Sequence, residues 1–129
     1  MRFMMLMIPR VYQHDTPADF MPPADAVEQM SKYNSELQKA GVLLSLDGLQ
    51  APAGGARVRF GAGAPTVTAG PFTESREIIG GYWIISVKSQ DEAVEWARRC
   101  PAAAGDMIEV RRVYDLEDFP ADVQAVAKF

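Results

Sequence analysis

A chain of 129 residues with 48% apolar and 23% charged side chains is one domain of ordinary size, large enough for a real core. Its formal net charge of −4 lacks the basic field that a nucleic-acid surface wants, and its basic residues are scattered, so no nucleic-acid partner is expected. A lone Cys100 excludes an intrachain disulfide and a thiolate metal cluster, and it suits a reducing, cytoplasmic compartment.

The opening run Arg2-Phe3-Met4-Met5-Leu6-Met7-Ile8 is apolar on both alternating faces, as in a strand covered on both sides. It is too short to cross a membrane and lacks the features of a signal peptide. Residues 9–17 read as an irregular connection, after which Pro22-Pro23 leads into a helix over about 24–40. Val27, Met30, Tyr33, Leu37 and Ala40 form its apolar stripe, and Gly41 supplies the C-terminal cap. A second strand over 42–49 has Leu44, Leu46 and Leu49 as anchors. After a turn at 51–55, segments 57–60 and 65–68 form a hairpin around Gly61-Ala62-Gly63. No helix with a Lys-Ser/Thr pair follows these glycines, so they do not read as a phosphate cradle.

The stretch 68–81 breaks the strand pattern twice, at Gly70-Pro71 and at Gly80-Gly81, with a polar loop between. A strand over 82–87 follows, with Trp83, Ile85 and Val87 facing one way and Tyr82, Ile84 and Ser86 the other. Ser89-Gln90-Asp91-Glu92 is a capping box for a helix reaching Cys100, with Ala93, Trp96, Ala97 and Cys100 as its buried stripe and Pro101 as its stop. A last core strand covers 108–114, and Pro120 opens a short helix carrying Val123, Val126 and Phe129.

The order β-α-β, hairpin, β-α-β is the ferredoxin-like split βαβ pattern, an α+β fold with an antiparallel sheet and an inserted hairpin. Two helices cover one face of such a sheet, yet the first strand is apolar on both. A second copy of the same sheet is the simplest cover, so a homodimer through sheet faces is expected, with Met5→Asp as its disrupting variant.

His14 is the only histidine and, beside Asp15, is a candidate for acid-base work, against the plainer reading of an exposed loop residue. Glu74 and Glu77, with Arg76 between them, either form rim ion pairs or act as paired carboxylates. Asp47, within Leu46-Asp47-Gly48-Leu49, is either a turn residue or points into a cleft. The expected ligand-binding set is Asp47, Phe72, Glu74, Arg76, Glu77 and Tyr82, with Arg76 as an anion anchor and Phe72 as a plug holding the loop. His14, Asp47 and Glu74 are the catalytic candidates. One His and one Cys far apart give no metal-ligand spacing, and no cofactor is expected.

The segment Thr68-Ala69-Gly70-Pro71-Phe72-Thr73-Glu74-Ser75-Arg76-Glu77 resembles the T-D-G-P-F-A-E-T-K-E signature of the DGPF branch of the YCII-related domain family. Gly80-Gly81-Tyr82, Glu92-Ala93-Val94-Glu95-Trp96-Ala97 and Glu109-Val110-Arg111 extend the likeness over nearly the whole chain. The resemblance implies a dimeric α/β barrel. It also implies two rival roles beside ligand binding: a lyase- or isomerase-like acid-base enzyme, and an interaction module linked to transcription through sigma factors. Ala69 stands where the signature has Asp, and the expected first helix lacks the His–Asp pair proposed as catalytic in a better-defined branch. The favoured expectation is therefore a dimeric domain that binds a small polar or aromatic ligand near Gly70-Pro71, with little or no turnover.

Overall fold

The computed structural model describes residues 1–14, 16–72 and 77–128, and among them are six strands and three α-helices. They are β1 (Arg2–Ile8), α1 (Ala24–Lys39), β2 (Leu43–Gly48), β3 (Ala56–Arg59), β4 (Thr66–Ala69), β5 (Gly81–Ser86), α2 (Gln90–Arg98), β6 (Met107–Arg112) and α3 (Ala121–Gln124). The main sheet runs β2-β5-β1-β6 with every pairing antiparallel, while β3 and β4 form a separate ribbon. This is the expected α+β, ferredoxin-like arrangement with an inserted hairpin.

Local chemistry sets the helix ends. Gly41, at φ +74°, closes α1: its N–H donates to the Gln38 carbonyl, and the Val42 N–H donates to the Leu37 carbonyl. At α2 the Ser89 hydroxyl accepts from the Glu92 N–H at 3.2 Å. The Glu92 carboxylate reaches back to the Lys88 N–H at 3.0 Å, one residue earlier than a strict capping box.

The pairing register sorts the faces of the sheet. Phe3 and Met5 lie opposite Ile85 and Trp83 on the side that α1 and α2 cover with Tyr33, Leu37 and Ala93. Two polar atoms there are satisfied: the Tyr33 hydroxyl donates to the Trp96 carbonyl at 2.6 Å, and Trp83 Nε1 donates to Asn34 Oδ1 at 2.8 Å. The other face presents Met4, Leu6, Tyr82 and Ile84, all half-buried. Strand β1 is thus apolar on both sides, but Met5 belongs to the helix-covered core. Met5→Asp therefore probes folding; Leu6 is the open-face position.

Several expected anchors sit elsewhere. A register shift between Leu43 and Ser45 puts Leu43 and Leu46 against the core and leaves Leu44 54% exposed. Leu49 and Val27 are exposed as well. Cys100 is only half-buried, its Sγ 4.0 Å from Met30 Sδ at the margin of the core. Strand β6 stops at Arg112, short of the exposed Tyr114; Val126 is exposed, and Phe129 lies outside the described residues.

A second, smaller core holds the Gly70-Pro71 stretch. Tyr12, Ala51 and Ile78 are buried there, with Phe20 and Phe72 packed against them. Gly80 donates its N–H to the Met7 carbonyl at 2.8 Å, and its carbonyl accepts from the Leu49 N–H at 2.9 Å. A Cβ on Gly80 would lie 2.6 Å from Pro9 Cγ and 3.1 Å from Tyr12 Cε2, so glycine is what permits this approach.

Candidate functional site

Pro9 follows β1 without an N–H of its own, and the chain turns into a short 3-10 stretch, Arg10–Gln13. Side-chain bonds then fix the course of residues 9–14 and 16–20. The Tyr12 hydroxyl donates to the Leu49 carbonyl at 3.0 Å, and the Thr16 hydroxyl donates to the Val11 carbonyl at 2.7 Å. The segment has two sides. Tyr12 and Phe20, edge to face at 6.1 Å, belong to the small core that grips Phe72 and Ile78. Pro9, Arg10, Val11 and His14 line a cavity of about 560 Å³.

That cavity lies where three element ends meet. Ile8 at the end of β1 pairs with Met107 at the start of β6, which brings the exit of β1 beside the connection from α2. Its walls are mostly apolar, from Met7, Phe20, Pro22, Ala26, Met30 and residues 101–104. The polar lining comes from Arg10, His14 and Asp106. Asp106 is a clasp: Oδ1 accepts from the Arg10 N–H at 2.8 Å, and Oδ2 accepts from the Ala103 N–H at 2.9 Å. Gly105, at φ +94°, passes directly beneath Arg10, where a Cβ would meet Arg10 Cδ at 2.6 Å.

The residues singled out from sequence fall in separate places. His14 is exposed on the cavity wall, and among the described residues its imidazole has no hydrogen-bond partner. Asp47 is a strand residue rather than a turn residue. It pairs across β2 and β5 with Tyr82, whose hydroxyl donates to Asp47 Oδ2 at 3.1 Å on the open face of the sheet. Phe72 lies in the small core with the Arg57 guanidinium 4.0 Å above its ring. Glu77 is exposed. Asp15, Glu74 and Arg76 lie outside the described residues.

Sequence reasoning missed Arg10 and the cavity itself. A usable signal was present: Pro9, Pro22-Pro23 and Pro101 each mark an element end, and the split βαβ order brings those ends together.

Cys100 borders this region through its contact with Met30. Burial first, then the Asp106 carboxylate, pushes its thiol from an ordinary 9.0 up to about 11. Native-state labelling by a disulfide reagent at neutral pH is expected to run on the order of 100-fold slower than in denaturant, in step with the thiolate fraction. Rapid native labelling would contradict this. Since the neutral thiol is the form favoured by folding, its contribution to stability is complete below pH 9.0 and is lost as pH rises toward about 11. The Tyr33 phenol, raised chiefly by burial, extends the alkaline loss in the same direction.

Among the described residues no helix is long and apolar enough to cross a membrane, and no group of three or more His, Cys, Asp or Glu is placed to hold a metal ion. A family model described as the YCII-related domain matches residues 1–117. A search of curated proteins found no match.

Proposed function

Because the chain belongs to the YCII-related domain family, we propose that it is a dimeric domain that binds a small, largely apolar molecule in the cavity at the exit of β1. One observation carries the reading: about 560 Å³ of concave, mostly apolar space with three polar groups at its wall. Such volumes and linings are those of small-molecule sites. Binding rather than turnover is favoured because no described residue orients His14, whereas a working general base is held by a partner.

The test is cavity filling. Ala26→Trp places an indole in the space from an exposed helix position, so folding is preserved while ligands that stabilise the parent protein in a thermal-shift screen lose their effect. Ligand-induced shifts that survive Ala26→Trp would overturn the cavity as the site. They would favour a second reading, in which the ligand meets the Asp47–Tyr82 pair on the open face of the sheet.

The dimer is proposed from the open face, where Met4, Leu6, Tyr82 and Ile84 form an apolar strip across neighbouring strands. A pairing of two such sheets buries more than about 1,000 Å² in total, as specific interfaces do. Leu6→Asp is expected to give folded monomers in sedimentation velocity. A parent protein that already sediments as a monomer at micromolar concentration would end the dimer reading.

A further inference from the structure

Resting on the cavity reading above, we propose that the ligand is an amphiphilic monocarboxylate, its apolar body inside the cavity and its carboxylate bound by Arg10 at the wall. Among the described residues the Arg10 guanidinium has no ion-pair or hydrogen-bond partner, although it lines the cavity. Asp106, the acid on the same wall, makes no ion pair with it. Both oxygens of Asp106 accept backbone N–H groups, from Arg10 itself and from Ala103.

The Arg10 stem also has a set course. Its Cβ, Cγ and Cδ lie over Gly105, within 2.6–3.4 Å of where a Cβ would be, so the loop is shaped to let this side chain pass. A guanidinium presents a planar fork of donors that matches a carboxylate with two parallel bonds. His14 supplies a further polar group on the same wall.

The apolar walls exclude a bare inorganic anion as the natural occupant, because Met7, Phe20, Pro22, Ala26 and Met30 would gain nothing from it. The Asp106 carboxylate discriminates further. Arg10 and Asp106 together bring the wall to zero net charge, so a monocarboxylate leaves one negative charge in excess where a phosphate dianion leaves two, and the singly charged ligand is the less opposed.

The experiment is titration calorimetry of the full chain with aryl and alkyl monocarboxylates of graded size, each beside its primary amide, beginning with cinnamate and cinnamamide. The acid is expected to bind roughly 10- to 100-fold tighter than its amide, the range for a charge-assisted pair. Arg10→Gln should bring acid and amide together, and Arg10→Lys should restore part of the preference. Ala26→Trp should abolish binding of both. If acid and amide bind the parent equally and both are lost in Ala26→Trp, the carboxylate is refuted and the cavity stands. If acid binding depends on Arg10 but ignores Ala26→Trp, or if no member of the series binds folded protein, both readings fall.

Discussion

Met5→Asp is expected to abolish the folded domain. Met5 is 0% exposed on the central strand β1, opposite Trp83 and Val110, beneath the helix-borne Tyr33 and Leu37. Truncating a buried methionine alone costs about 2–5 kcal/mol. An aspartate there adds the desolvation of a charge with no partner, which is comparable with the whole stability of an ordinary domain, about 5–15 kcal/mol. Circular dichroism in a urea series should show no cooperative transition. A variant that unfolds at the parental midpoint would show that β1 is turned over. Leu6→Asp provides the contrast: its neighbour in sequence points to the opposite face, so the two variants separate folding from assembly.

Gly70→Ala should be the most damaging single-methyl addition near the Gly70-Pro71 stretch. The new Cβ would sit on the carbonyl oxygen of Pro52, 2.8 Å from the Pro52 carbonyl carbon and 3.2 Å from Ala53 Cα. These are backbone atoms and cannot swing aside as a side chain would. The Gly70 N–H to Gly55 carbonyl bond, 2.9 Å, is lost as the two segments part, and Phe72 is drawn from the small core. A cost of about 3 kcal/mol is expected, at the upper end for overpacking, with a fall in Tm on the order of 10 °C. Gly61→Ala is the control, since a Cβ there meets nothing within 4 Å. Equal melting temperatures for the two variants would mean that Gly70 and Pro52 are not in contact.

What was legible in the chain was whatever repeats locally. The double-sided first strand, the alternation of Trp83 and Ile85 with Tyr82 and Ile84, and the Gly41 and Ser89 caps all follow from period and turn chemistry, and each stands as expected. Leu44 was misplaced because a strand irregularity leaves no mark in alternation. Val27 is exposed although it shares the helical stripe of Met30, Tyr33 and Leu37. Arg10 stayed hidden for a deeper reason. Its role depends on Asp106, 96 positions away, spending both oxygens on backbone amides, which no short window of sequence contains. Of the charged residues in the signature loop, only Glu77 is among those described, and it is exposed.

The β3–β4 ribbon has a consequence for how this protein can change length. All eight of its residues are exposed, Phe60 beside it is 79% exposed, and neither Gly61 nor Gly63 has a neighbour where a Cβ would go. Residues 9–14, by contrast, serve the cavity on one side and the small core on the other, so an added residue there would have to satisfy both. Insertions, affinity tags or a spectroscopic reporter therefore belong between Gly61 and Gly63, where extra chain costs only loop entropy, growing slowly with length. The same tip is where drift in sequence can accumulate without touching the main sheet.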